Sequence, residues 1–207
     1  MKNTLLLMID FQGQPGLQDQ NYMNSRYVAL LDILNRRNID REKCIIVYFG
    51  TKLEDKQLMS MIEFSRLEKW QSFDITIETN NAYDNITIDE FCKIIKKYTT
   101  FEIAPHITNI IVGGTETSGC VFDNKNVGAF HWALRGYDTS IYLPLCCDFS
   151  SYGLTWLDKQ KAGLSIIFQT IKNSEMRNTI IKNLSLTSTF DELGKKIPWT
   201  DTKITAL

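Results

Sequence analysis

The sequence lacks the features by which several large classes of protein are recognised. Its 207 residues carry a formal net charge of −1, which gives no reason to expect nucleic acid or an anionic membrane as a partner. No segment approaches the roughly 20 apolar residues of a membrane-spanning helix, and the apolar run at residues 5–9 is too short for a signal peptide. Linkers, internal repeats and low-complexity segments are also missing. We therefore expect a single cytoplasmic domain over residues 1–207.

Histidine is scarce, and the cysteines show no pairing pattern. The two histidines, His106 and His131, do not form the H-E-x-x-H or D-x-H spacing of common metal sites. The five cysteines are odd in number and contain no C-x-x-C pair, so we expect free thiols in a reducing compartment. They are Cys44, Cys92, Cys120, Cys146 and Cys147. The sequence accordingly predicts no metal site and no cofactor.

Short apolar runs alternate with segments of helical period along almost the whole chain. Strands are predicted at residues 4–9, 43–49, 73–77, 108–112, 139–143 and 184–187, and helices at 25–37, 54–69, 88–98, 121–135, 157–171 and 190–195. The longest strand runs are continuously apolar, which is typical of strands buried on both faces. Because strand–helix–strand crossovers are right-handed, the repeated units predict a parallel sheet with helices on both faces. The predicted fold class is therefore α/β, a three-layer α/β/α sandwich.

Two local signals mark the ends of predicted helices. The segment Thr87-Ile88-Asp89-Glu90 has the pattern of a capping box, so a helix should begin there. Gly136 follows the predicted helix at 121–135 and suits the left-handed conformation in which helices often end.

The candidate chemistry lies where two predicted strands end. Asp10 directly follows the first strand, and the fourth strand leads into a Gly-rich turn, residues 113–119, that ends in Cys120. Ligands of such sheets bind at the carboxyl ends of the strands, where the strand order reverses, so neighbouring first and fourth strands would bring both groups into one crevice. Cys120 would also begin the predicted helix at 121–135, whose N-terminus favours a thiolate. Cys120 is thus the candidate nucleophile and Asp10 the candidate acid and base.

Each of these residues also has a plain structural interpretation. Cys120 could equally be a small side chain in the hydrophobic core, because free cysteines are among the most buried residues. Asp10 would serve as a cap for the loop that follows it. The turn also resembles a phosphate-binding loop, but Cys120 and Val121 stand where that motif requires Lys and Ser or Thr, so this interpretation is weak.

Four segments together resemble the isochorismatase-like cysteine hydrolase superfamily, which includes isochorismatases, nicotinamidases, carbamoylsarcosine-type amidases and ureide hydrolases. Residues 5–12 resemble its opening apolar strand, Asp and Phe-Gln, and residues 114–121 resemble its G-x-x-T-x-x-C-V turn. Residues 135–148 resemble its Gly-Tyr strand and Asp-containing loop, and residues 184–193 resemble its closing strand and helix. The resemblance covers most of the chain, and the turn is its most specific part.

The resemblance implies a fold and a set of roles. It implies a six-stranded, mostly parallel sheet of order 3-2-1-4-5-6 and an Asp–Lys–Cys triad in which Asp10 and Cys120 are two of the members. It also implies a non-prolyl cis peptide between Thr115 and Glu116, in a turn that continues through Gly119. The N–H groups of Glu116 and Cys120 would then bind the oxyanion of a reacting carbonyl group.

The chain departs from the family at the lysine. The family's Lys lies after the third strand, and Glu78 or Thr79 stands in that place here. A carboxylate there would oppose ionisation of the thiol, whereas a lysine would favour it. Lys52 and Lys69 are the candidates to supply the charge from elsewhere. The family's D-x-H metal pattern is also absent from the sequence, which disfavours a metal-dependent nicotinamidase.

These observations leave three hypotheses for function. The first is a cysteine hydrolase that cleaves a C–N, amide-type bond of a small-molecule substrate. The second is a family member without hydrolase activity that binds a small molecule or a partner protein in the same crevice. The third is an isochorismate-type vinyl-ether hydrolase that depends on Asp10 and not on the thiol. Candidate pocket walls are Phe11, Gln12 and Tyr83, and the resemblance implies a homo-oligomer, a dimer or tetramer.

Overall fold

A computed structural model of the chain describes residues 3–10, 44–51, 75–79, 86–99, 107–123, 126–148 and 156–187. These ranges contain strands β1 to β6 and helices α1 to α4. The strands are β1 Thr4–Ile9, β2 Cys44–Thr51, β3 Ile75–Thr79, β4 Asn109–Thr115, β5 Asp138–Cys147 and β6 Leu184–Thr187. The helices are α1 Ile88–Thr99, α2 Ala129–Leu134, α3 Trp156–Asn173 and α4 Arg177–Asn183.

The six strands form one parallel sheet in the order β3-β2-β1-β4-β5-β6, which confirms the predicted α/β fold class. The order reverses between β1 and β4, because the chain runs outward from β1 to β3 and then returns to the other side of β1. Ile9 at the end of β1 pairs with Phe49 on β2 and with Gly114 on β4. The carboxyl ends of β1 and β4 therefore lie side by side at the switch point.

The central strand β1 is buried on both faces. One set of its alternating side chains, which includes Leu5 and Leu7, lies in the main hydrophobic core with Phe91 of α1 and Trp132 of α2. The rings of Phe91 and Trp132 pack edge to face with centroids 5.8 Å apart. The other set, which includes Met8, is also fully buried. This burial confirms the interpretation of continuous apolar runs as strands covered on both sides.

The two predicted helix-end signals are confirmed. At the start of α1, the Thr87 N–H donates to Glu90 Oε2 at 2.8 Å, and the Glu90 N–H donates to Thr87 Oγ1 at 3.2 Å. At the end of α2, Gly136 has φ of +88° and its N–H donates to the Ala133 carbonyl. The Tyr137 N–H donates to the Trp132 carbonyl at 3.2 Å, which completes a Schellman motif.

The predicted helix at 121–135 is wrong over its first half. Residues 117–123 form successive turns, and α2 begins at Ala129. The Asp123 N–H donates to the Gly119 carbonyl at 2.8 Å, which closes one helical turn that does not continue. The chain then folds back, so that the Ala129 N–H donates to the Val121 carbonyl at 2.9 Å. Polar, turn-favouring residues such as Asp123 and Gly128 explain why the apolar spacing did not yield a helix.

Other differences concern element ends and a missed helix. The strand predicted at 108–112 continues to Thr115, the one at 139–143 runs over Asp138–Cys147, and the one at 73–77 lies at Ile75–Thr79. Strand pairing continues beyond the apolar runs, and backbone pairing does not require apolar side chains. Helix α4 was not predicted. The helices predicted at 25–37, 54–69 and 190–195 lie outside the described residues.

Candidate active site

Asp10 is held at the end of β1 by the strands on both sides. Its N–H donates to the Phe49 carbonyl of β2 at 2.9 Å, and its own carbonyl accepts a hydrogen bond from Thr115 Oγ1 of β4 at 2.6 Å. Thr115 is almost completely buried, whereas Asp10 is partly exposed. The backbone of Asp10 is therefore fixed at the carboxyl edge of the sheet.

The ends of β1 and β4 have unusual backbone conformations. Among the described residues, Asp10 at φ +45° and Glu116 at φ +63° are the non-glycine residues with positive φ. Gly114 has φ of +146°, and a Cβ on it would lie 1.8 Å from the Ile9 carbonyl oxygen, so the approach of β4 to β1 requires glycine. Strained residues of this kind cluster at functional sites, which favours the edge between β1 and β4 as the site.

The turn after β4 is closed by its own hydrogen bonds. The N–H groups of Gly119 and Val121 both donate to the Glu116 carbonyl at 3.1 Å. The N–H groups of Phe122 and Asp123 both donate to the Gly119 carbonyl. Cys120 lies inside this closed turn.

Cys120 is half-buried and packs partly against the hydrophobic core. It was expected to begin a helix, and this expectation is wrong, because α2 begins at Ala129. The partial charge of a helix N-terminus therefore does not act on its sulfur. The oxyanion role of the Glu116 and Cys120 N–H groups stays a prediction.

Asp148, which directly follows β5, anchors the turn. Its Oδ1 accepts the Thr117 N–H at 2.9 Å, and its Oδ2 accepts the Thr117 hydroxyl. Both residues are buried, so this bidentate contact is shielded from water. Helix α3 backs the same turn, since a Cβ on Gly163 would lie 3.2 Å from Ser118 Oγ. The position of Cys120 is thus set by β4, β5 and α3 together.

Gly50 of β2 lies beneath two polar groups. A Cβ on Gly50 would lie 2.5 Å from Asp10 Oδ1 and 2.6 Å from Tyr48 Oη, both far too close for real atoms. The Asp10 carboxylate and the hydroxyl of the fully buried Tyr48 therefore both border the space above the glycine. Sequence analysis missed Tyr48 because it treated residues 43–49 as apolar core. The available signal was a glycine two positions after a tyrosine, on the same face of a strand.

Glu78 and Thr79, the residues at the expected lysine position, lie at the end of β3 on opposite faces. Glu78 is exposed and pairs with Gly50, which places it on the Asp10 side with the glycine between. The Thr79 side chain is buried and shares the face of Ile77, which lies in the core. Of the two, Glu78 therefore lies on the Asp10 face of the sheet.

Several expected site residues lie outside the described residues. They are Phe11, Gln12, Lys52, Lys69 and Tyr83. Within the described ranges, no three His, Cys, Asp or Glu side chains are arranged to hold a metal ion. In the same ranges, no helix has both the length and the apolar character needed to cross a membrane.

Comparison with known proteins gives a structural likeness and no named family. No model of a known protein family matches the sequence, and no curated protein matches it. Among solved structures, a hypothetical protein from Trypanosoma cruzi is similar, with a TM-score of 0.47 and 10% sequence identity. The match covers 99% of this chain and 90% of that chain.

Proposed function

We propose that this chain is an isochorismatase-like cysteine hydrolase that cleaves a C–N, amide-type bond of a small molecule. One observation carries the proposal. Asp10 and the turn that contains Cys120 lie at the carboxyl ends of adjacent strands, joined by the hydrogen bond from Thr115 Oγ1 to the Asp10 carbonyl. An acid–base group and a nucleophile at the switch point of a parallel sheet are the arrangement that such chemistry requires.

The proposed reaction has two halves. In the first, the Asp10 carboxylate takes the proton of the Cys120 thiol, and the sulfur attacks the substrate carbonyl carbon. The C–N bond then breaks, and Asp10 returns the proton to the leaving nitrogen. In the second, Asp10 takes a proton from water, the resulting hydroxide attacks the thioester, and the C–S bond breaks. The proton returns to sulfur, so one amide and one water give an acid and an amine.

The Asp148–Thr117 contact supports this scheme by fixing the turn before substrate arrives. A nucleophile held in place needs no reordering at the moment of reaction. Because the Thr117 N–H is already bound to Asp148, it is not a donor for the oxyanion. In the proposal, that task belongs to the N–H groups of Glu116 and Cys120.

A second candidate function is binding without hydrolysis, and two observations favour it. Cys120 lacks the helix N-terminus that would stabilise a thiolate, and Glu78 stands where the family has its lysine. Both changes make ionisation of the thiol harder. A third candidate, vinyl-ether hydrolysis, uses Asp10 as the acid and does not need the thiol.

Trapping of the covalent intermediate separates the three candidates. The protein is incubated with a panel of small amides and activated esters, and the mass of the Cys120 peptide is measured after an acid quench. We expect an acyl adduct in the wild type, none in Cys120→Ala, and a strongly reduced amount in Asp10→Asn. The matched control is Cys92→Ala, which removes another half-buried cysteine far from the turn in sequence.

The outcomes contradict the proposal in different ways. Turnover that persists in Cys120→Ala and disappears in Asp10→Asn would exclude the thiol and favour vinyl-ether hydrolysis. A panel that binds, as shown by a raised melting temperature, yet yields neither adduct nor product would favour the binding function.

A further inference from the structure

The hydroxyl of Tyr48 and the Asp10 carboxylate both border the space above Gly50, and the proposed reaction gives the hydroxyl no role. Tyr48 Oη and Asp10 Oδ1 are both within 2.6 Å of the position that a Cβ on Gly50 would occupy. Tyr48 has 0% of its surface exposed, so its hydroxyl is shielded from bulk solvent. A phenylalanine would fill the same space in the core. The hydroxyl of Tyr48 therefore adds something that packing alone does not require, a polar group near the Asp10 carboxylate.

Asp10 must be ionised when it takes the proton of the thiol. A neutral O–H donor stabilises the charged form of a neighbouring carboxylate. In the family that the sequence resembles, a lysine supplies positive charge from the third strand, but Glu78 stands at that position here. A donor from β2 would stabilise the same ionised form of Asp10.

The other titratable groups that the structure describes on the neighbouring strand ends and turn act in the opposite direction. Glu78 of β3 pairs with Gly50, Glu116 and Cys120 lie in the turn after β4, and Asp148 after β5 anchors that turn. Each of these groups, when ionised, is negative and favours the protonated form of Asp10. Among these described groups, Tyr48 is the one that offers a neutral O–H donor.

We propose that Tyr48 is a positioning residue for Asp10, whose hydroxyl keeps the Asp10 carboxylate ionised and aims it at the turn of Cys120. Gly50 is part of this arrangement, because a side chain there would collide with both oxygens. The inference rests on the proposed function for its purpose, since an ionised Asp10 matters only if Asp10 is the base. The contact itself is tested without reference to activity.

The test is the pH at which Asp10 is half-protonated, measured by NMR of ¹³C-labelled aspartate side chains in the full chain. The Asp10 signal is assigned by its loss in Asp10→Asn. In Tyr48→Phe we expect the midpoint to rise by about half a pH unit to one unit, the worth of one hydrogen bond. The matched control is Tyr142→Phe, which removes another buried hydroxyl, on β5, and should leave the midpoint unchanged.

Gly50→Ala is the second variant and protects the test against a folding defect in Tyr48→Phe. The atoms that an added Cβ would displace are the ends of two side chains, so the fold can absorb the change by moving them. We expect a folded protein, verified by circular dichroism, whose Asp10 midpoint also rises.

A midpoint that stays at the wild-type value in both Tyr48→Phe and Gly50→Ala would overturn the inference. This failure is distinct from failure of the proposed function. An acyl adduct on Cys120 with an unshifted Asp10 midpoint would remove the role of Tyr48 and leave the hydrolase standing. A shifted midpoint in a protein that forms no adduct would establish the contact and reject the hydrolase.

Discussion

Two glycines with positive φ show how differently two regions of this protein are built. Gly136, at φ +88°, ends α2, and none of the described atoms lies within 4 Å of the place where its Cβ would be. Gly114, at φ +146°, ends β4 against the Ile9 carbonyl oxygen, 1.8 Å from the same imagined atom. The first glycine serves a local turn, whereas the second also lets two strands that are distant in sequence meet. The end of α2 is set by hydrogen bonds between neighbouring residues. The carboxyl edge of the sheet depends on contacts between segments that are distant in sequence.

The carboxylates of the two regions differ in their burial. Asp89 of α1 forms an exposed ion pair with Arg135 at the end of α2, and the hydrogen bond from the guanidinium lowers the pKa of Asp89 below its ordinary value. At the carboxyl edge, Asp148 is buried and holds both polar groups of Thr117. Water screens the first contact and not the second, so the second should matter far more for stability.

The largest effect should come from Gly114→Ala. The added methyl group collides with the backbone of β1, and alanine is strained at this φ, so we expect a loss of at least about 4 kcal/mol or no folded protein. The matched control is Gly136→Ala, which meets no described atom and should cost about 1 kcal/mol through its backbone alone. Urea unfolding measures both. Equal losses in the two variants would contradict the distinction between the regions.

The next effect should come from Asp148→Ala. This change leaves the buried N–H and hydroxyl of Thr117 without their acceptor, and we expect a loss of about 2–4 kcal/mol in the free energy of unfolding. Asp148→Asn keeps one acceptor and should lose less. The exposed counterpart, Asp89→Ala, should change the unfolding transition by little more than the error of the measurement. A small effect of Asp148→Ala would mean that the turn does not depend on this anchor.

The smallest effect should come from the capping box. Thr87→Ala removes the cap of α1 and should cost about 1 kcal/mol. The backbone hydrogen bond from Thr87, followed by that from its hydroxyl, lowers the pKa of Glu90 below its ordinary value of 4.5. A lowered folded-state pKa gives stability that is present above pH 4.5 and is lost as the pH falls through the folded value. The cost of Thr87→Ala should therefore shrink in acid, and thermal unfolding at pH 7 and pH 3 measures this. A cost that is independent of pH would contradict the hydrogen bond from the Thr87 hydroxyl to Glu90.

Structural features that depend only on neighbouring residues could be predicted from the sequence. The run Thr4–Ile9, the capping box at Thr87 and the helix end at Gly136 each act over a few positions, and the structure confirms all three. The strand order came from the resemblance to a family and not from the residues alone. The structure nevertheless confirms it.

The site was harder to predict because its contacts join distant parts of the chain. The spacing of apolar residues after Cys120 predicted a helix, but the backbone bond from Ala129 to Val121 overrode it. The neighbourhood of Tyr48 and Asp10 exists only because β1 pairs with β2 in one register. Nothing within the sequence of either strand shows that register, so the sequence predicts the burial of Tyr48 but not the nearness of its hydroxyl to Asp10.

The central claim, that the carboxyl edge activates Cys120, is tested most directly by its rate of alkylation as a function of pH. Peptide mass spectrometry follows wild type and Asp10→Asn, and Cys92 serves as a standard in the same sample, because burial raises the pKa of its thiol to about 11. We predict that the Cys120 rate reaches its plateau well below the free-thiol pKa of about 8.5, and that Asp10→Asn abolishes this early plateau. A Cys120 that is inert, or that follows a free-thiol profile in both proteins, would contradict the claim.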